Sequence, residues 1–130
     1  MSERNKELIR ELTTSFEQND YEAFLNNCTD DIVWEMAGEP AMNGKDSIRE
    51  MMLSVDMEPP KLTIDTLIAE GDTAVCTGGM TMKQKDGSTA NFSYCDVYTF
   101  NGEKISRLVS YVVKQKTDAE RKAEAAQQSA

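Results

Sequence analysis

The chain has 130 residues and carries 14 basic against 23 acidic side chains, a net charge of −9. A domain of this length can bury about two-thirds of its surface, while its acidic field repels phosphate backbones and anionic headgroups, so neither nucleic acid nor a membrane is an expected partner. There is no histidine, which removes Ser-His-Asp and Cys-His catalysis and imidazole metal sites and leaves acid–base work to carboxylates, lysine, tyrosine or water.

The opening stretch from Met1 to Phe16 is studded with charges where a secretory signal would be apolar, so the expected compartment is the cytoplasm. Within it Leu8, Ile9, Leu12 and Phe16 recur at three- and four-residue intervals, the buried stripe of an amphipathic helix. Asn19 and Asp20 break that helix, and Asp20 is placed to cap a second, short one from Tyr21 to Asn27. A turn at Thr29, Asp30 and Asp31 then leads into a strand to Met36, with Ile32, Trp34 and Met36 on one face. The Gly38–Gly44 region reads as a loop, and Ile48, Met51, Met52 and Val55 mark a third helix before Pro59 and Pro60.

Four β-rich runs follow, Leu62 to Ala69, Thr73 to Lys83, Thr89 to Phe100 and Lys104 to Val113. They are separated by Gly71-Asp72, Asp86-Gly87 and Asn101-Gly102, whose glycines accept the positive φ of tight hairpins. Helices first and an antiparallel meander second indicate an α+β layer architecture. Gly78 and Gly79, inside a long strand, read as a bulge that bends the sheet, with close approach to a ligand as the alternative. The three cysteines, Cys28, Cys76 and Cys95, have no CxxC spacing and read as small apolar residues, and no metal or organic cofactor is expected. Residues 114–130 hold no aromatic or branched aliphatic side chain and read as a polar tail, frayed or partly helical, after a domain spanning 1–113.

The run from Asp30 to Trp34, the Asn43-Gly44-Lys45 entry into the third helix, and the aspartate-bearing strand followed by Asn101 to Ile105 occur in an order that resembles the SnoaL-like branch of the nuclear transport factor 2 superfamily. The resemblance implies a cone-shaped, cystatin-like α+β fold, about three N-terminal helices wrapped by a strongly curved, mostly antiparallel sheet around an apolar cavity. It also implies a homodimer formed through the outer sheet face. Members include ketosteroid isomerases, polyketide cyclases, limonene epoxide hydrolases and scytalone dehydratases, as well as proteins with no catalysis, so fold alone does not set function.

Alternation places Phe92, Tyr94, Asp96, Tyr98 and Phe100 on one face of the penultimate strand, an aspartate among four aromatics. Such a carboxylate must be paired, hydrated or shifted toward its neutral form. By resemblance Asp96 stands where the isomerases hold a hydrogen-bonding aspartic acid and the cyclases an acid–base carboxylate. The bland alternative is that it accepts a tyrosine hydroxyl or caps a neighbouring group inside the cone. The isomerases' general base falls on Met36, which takes no proton, so steroid isomerisation is not expected, and scytalone-type dehydration fails for want of histidine.

The expected pocket is lined by Trp34, Met36, Tyr94, Tyr98, Leu108, Ser110 and Val112, with Glu35, Arg107 and Tyr111 turned away. Trp34 either stacks on a ligand while its N–H donates to Asp96 or the ligand, or is simply core. Met36, Met42, Met51, Met52, Met57, Met80 and Met82 supply soft packing, of a core or of an adaptable cavity wall. Two readings stand: a pocket for an apolar or aromatic small molecule, with Asp96 as proton donor or acceptor in an isomerase- or cyclase-like reaction, and a noncatalytic homodimer module.

Overall fold

The structure is a computed structural model that describes residues 2–55 and 58–128. Its elements run α1 (Ser2–Glu17), α2 (Tyr21–Asn26), β1 (Cys28–Met36), β2 (Met42–Asn43), α3 (Lys45–Ser54), β3 (Lys61–Leu62), β4 (Thr66–Glu70), β5 (Thr73–Lys83), β6 (Thr89–Asn101), β7 (Lys104–Lys114) and α4 (Asp118–Gln128). The strands form one sheet in the order β2-β1-β7-β6-β5-β3, with β4 also pairing β5. All pairs are antiparallel except β1 with β7. Met57, expected among the packing methionines, and the end of the tail at 129–130 lie outside the described residues.

The helical stripe of α1 buries Leu8, Ile9 and Leu12 against Phe24 and Leu25 of α2 and the inner sheet residues Ile32, Ile105 and Leu108, one continuous core. Asp20 caps α2, its carboxylate accepting from the Ala23 N–H at 3.3 Å, and Asn19 just before it turns the chain at φ 60°. The hairpins form at the expected dipeptides, with Gly71 at φ +58° between the paired Glu70 and Thr73, and Gly102 at φ +64° between the paired Asn101 and Lys104.

Three local expectations are corrected. The turn expected at Thr29 to Asp31 lies inside β1, because Cys28 already pairs with Ile105. The irregularity is absorbed as a bulge in which five residue steps of β1 face two of β7. The expected loop before α3 includes the two-residue strand β2, where Met42 and Asn43 pair with Trp34 and Val33. The third correction concerns the run from Leu62 to Ala69, which splits into β3 and β4. Leu62 pairs with Met80 and Thr66 with Thr77, so the extra residue sits on this strand, whereas β5 continues in unbroken register with β6 through Gly78 and Gly79. Gly78 is there because the bulged chain presses on it: a Cβ at Gly78 would lie 1.8 Å from the Thr63 carbonyl oxygen and 2.8 Å from the Tyr94 hydroxyl. The close approach is thus by backbone rather than by a ligand.

The tail forms α4 over Asp118–Gln128, with Thr117 and Glu120 exchanging backbone-to-side-chain bonds at its start. Its described side chains are exposed.

Candidate functional site

Strand register stacks the inner-face residues in rows across the sheet. One row runs Trp34, Leu108, Tyr98, Ala74; the next runs Met36, Ser110, Asp96, Cys76; the third runs Val112, Tyr94, Gly78. All eight side chains named from sequence, Trp34, Met36, Tyr94, Asp96, Tyr98, Leu108, Ser110 and Val112, therefore face one cavity of about 290 Å³. The alternation also turns Arg107 and Glu35 outward, where they meet each other at 3.3 Å, and leaves Tyr111 about half exposed.

The opposite wall comes mainly from the helices, whose methionines the sequence offered as soft packing for a core or for an adaptable cavity wall. Phe16 from α1, Tyr21 from α2, and Met51 and Met52 from α3 close over the sheet, with Leu62, Met80 and Met82 toward one side. The helical stripes marked Phe16, Met51 and Met52 as inward-facing, and all three line the cavity, Phe16 and Met52 packing on the core as well; no stripe marked Tyr21. Met42 departs from this set, packing on the core without lining the cavity. Glu58, just before Pro59 and Pro60, was not singled out and also borders the cavity. It is exposed, and its carboxylate lies 3.8 Å from Lys83.

At the sheet floor the polar groups are ordered. Trp34 Nε1 donates to Ser110 Oγ at 3.0 Å, although the expectation was donation to Asp96 or a ligand. The register explains the difference: Trp34 is two residues from the row of Asp96, and Ser110 stands between them. A serine hydroxyl that accepts from an indole keeps its single proton for another acceptor. The carboxylate directly opposite Ser110 in the register is that of Asp96, and the Ser110 hydroxyl favours its ionised form. Tyr94 is not Asp96's partner either, since its hydroxyl donates to the Thr63 carbonyl at 2.7 Å and so ties β6 to the bulge beside β3.

Burial pushes the Asp96 carboxyl up to about 6, against the Ser110 hydrogen bond that favours the ionised form. Among the described residues no cation contributes to that balance. Tyr98, buried and close to Asp96, is raised well above its ordinary range, and burial likewise raises Tyr94. Cys28 is pushed up to about 12 and Cys76 is also raised, both by burial, so neither is a thiolate near neutrality. The site therefore holds one carboxyl that exchanges protons close to neutral pH, in an apolar cavity with aromatic walls.

Residues 9–108 match the family model described as SnoaL-like domain, which is most of the chain. The chain belongs to the SnoaL-like family. No curated protein sequence matches it. Among solved structures, this SnoaL-like chain is similar to an NTF2-like protein of unknown function from Cytophaga hutchinsonii, with 25% identity, 83% of this chain and 98% of that one covered, and a TM-score of 0.68. It shares its fold with an NTF2-like protein of unknown function from Burkholderia pseudomallei at 18% identity, coverage of 85% and 90%, and a TM-score of 0.76. An LEH-like epoxide hydrolase of M. tuberculosis has the same fold at 13% identity, coverage of 85% and 84%, and a TM-score of 0.74. The SnoaL-like fold, with its helices on a curved, mostly antiparallel sheet, thus accounts for where the cavity lies.

Proposed function

We propose that the cavity binds an apolar or aromatic small molecule and that Asp96 gives and takes a proton in a cofactor-independent, isomerase- or cyclase-like reaction on a carbonyl compound. The observation that carries this reading is the position of Asp96, a carboxyl titrating near 6 on the floor of a 290 Å³ cavity and oriented by Ser110. In the ionised form it takes a proton from carbon beside a carbonyl, the electron pair moves to the carbonyl oxygen, and the proton returns to another atom of the same molecule. A general base needs a pKa near the working pH, which burial supplies here. Met36 stands in the same row beyond Ser110 and adds no second base.

The second reading, a noncatalytic homodimer module, draws on the outer sheet face, where Ile68, Val75, Val97 and Val109 line up across four strands with Tyr111 beside them. Ile68 and Tyr111 are exposed. Pairing of two copies through this face fits either reading, as does a cytoplasmic location. Among the described residues no helix is long and apolar enough to cross a membrane.

The experiment is a screen of polycyclic and aromatic ketones for binding and for solvent deuterium incorporation, on the parent and on Asp96→Asn. Incorporation that disappears in Asp96→Asn is the expected result. Binding without exchange in either protein would remove the catalytic role and leave a binding module.

A further inference from the structure

The cavity's charges are one-sided. Among its described lining residues the carboxylates are Asp96 and Glu58, and there is no lysine or arginine. The two acids differ in circumstance. Glu58 is at the exposed rim and has Lys83 within 3.8 Å, whereas Asp96 is on the floor, and no cation acts on it. A partly desolvated carboxylate without a counter-ion is an unfilled electrostatic position. Its surroundings suit a positive charge, since Tyr94, Tyr98 and Trp34 stand around it and aromatic faces attract cations. The rest of the protein adds to the same sign, with a net charge of −9.

We propose that the cavity selects its ligand by charge, taking apolar molecules that carry an amine, whose ammonium fills the counter-ion position beside Asp96, and rejecting carboxylates and phosphates. This rests on the cavity being a ligand site, as read above, but not on catalysis. It narrows the substrate class to uncharged or amine-bearing compounds, with the amine-bearing ones bound more tightly. Phosphopantetheine thioesters and free organic acids fall outside it, because their anionic groups would meet Asp96, Glu58 and no compensating cation.

The discrimination depends on Asp96 being ionised, so it weakens in acid. The titratable groups that face Asp96 are Cys76 from β5 and Tyr94 and Tyr98 from β6, all raised by burial and neutral across the useful range. Ser110 and Val112 from β7, and Trp34 and Met36 from β1, carry no titratable group. From the helices the wall adds Tyr21 of α2, with Thr13, Phe16, Met51 and Met52 bearing no charge. Asp65, near Tyr94, and Glu58 at the rim are the remaining acids.

The test uses three naphthalene probes of one shape, 2-naphthylmethylamine, 2-naphthylmethanol and 2-naphthoic acid, titrated calorimetrically into the intact protein at about pH 8 and about pH 5. At the higher pH the amine is expected to bind at least about tenfold tighter than the alcohol, and the acid at least about tenfold weaker, roughly one close charge pair each way. At the lower pH, and in Asp96→Asn at either pH, the ratio of amine to alcohol should fall toward one. Glu58→Gln should leave most of the ratio in place. An acid that binds as tightly as the alcohol at pH 8, or an amine preference that survives in Asp96→Asn, would overturn the charge selection alone. Failure of all three probes, together with a panel of larger aromatic alcohols and amines, would overturn the ligand-site reading and the charge selection with it.

Discussion

The Trp34 indole N–H and Ser110 Oγ meet at 3.0 Å across the parallel β1–β7 pair, and Ser110 stands directly opposite Asp96 on β6. Three residues are thereby polarised in one direction, from indole through hydroxyl to carboxylate. Each donor also fixes the rotamer of the next group, which is how a site gains precision from neighbours that need not touch a ligand.

Removing the middle of that chain should raise Asp96 further. Ser110 is the group that holds its carboxyl down against burial, so Ser110→Ala is expected to move the midpoint above about 6. Carbon-13 shifts of the Asp96 carboxyl against pH would show it. An unchanged or lower midpoint would mean that Ser110 does not donate to Asp96.

Asp96 should also leave a signature in stability. Its folded-state pKa lies above its ordinary 3.8, so between about pH 4 and pH 6 the folded protein binds more protons than the unfolded chain. Stability from this group is therefore full below pH 4 and is lost as pH rises through about 6. The difference between 3.8 and about 6 corresponds to an upper figure of about 3 kcal/mol. Asp96→Asn should raise Tm by several degrees at pH 8 and by little at pH 4. Calorimetric melts at both values decide this, and an equal gain at the two would assign the effect to packing.

Gly78 should tolerate no side chain. A methyl there would lie 1.8 Å from a backbone oxygen of Thr63, and the Tyr94–Thr63 bond that crosses the same place would be strained with it. Gly78→Ala is expected to cost about 2–4 kcal/mol in urea unfolding. A loss below about 0.5 kcal/mol would show that the strand at Thr63 can move away.

Trp34 is the only tryptophan, borders the cavity and meets Phe24 with ring centroids 5.5 Å apart and planes tilted by 57°. Entry of an aromatic ligand should change its emission in proportion to occupancy measured by calorimetry. Binding that leaves the emission untouched would place the ligand elsewhere.

The outer face offers a separate test. Val97 and Val109 are direct cross-strand partners at its centre, so Val109→Asp should halve the mass seen in sedimentation if two copies pair there, with the circular dichroism unchanged. A parent that already sediments as a monomer at tens of micromolar would remove the dimer.

Alternation along β6 and β7 was enough to group Tyr94, Asp96, Tyr98, Leu108, Ser110 and Val112, because strand geometry is local and has a period of two. The hydrogen bonds within the group were not readable in the same way. Whether Trp34 reaches Asp96 or Ser110 depends on how β1 is offset against β7, and that offset is set by a bulge between Cys28 and Val33 that no residue type announces. Gly78 shows the same limit: the sequence marks a position where a side chain is unwelcome, but the crowding atom belongs to Thr63, in the irregular link between β3 and β4. Glu58 was overlooked because it sits outside any periodic element, so nothing in the local pattern assigns it a face.

The parallel contact between β1 and β7 has a further consequence for how the site comes into being. Trp34 and Ser110 are 76 positions apart, so during synthesis α1 to α3, β1 and most of the meander leave the ribosome before the residue that orients Asp96. Without β7 between β1 and β6, Asp96 lacks both Ser110 and the cover that this strand gives it. The site's unusual proton affinity thus belongs to a late, long-range step of folding, the kind that closes slowly, and any ligand that needs it can bind only chains in which that step is complete.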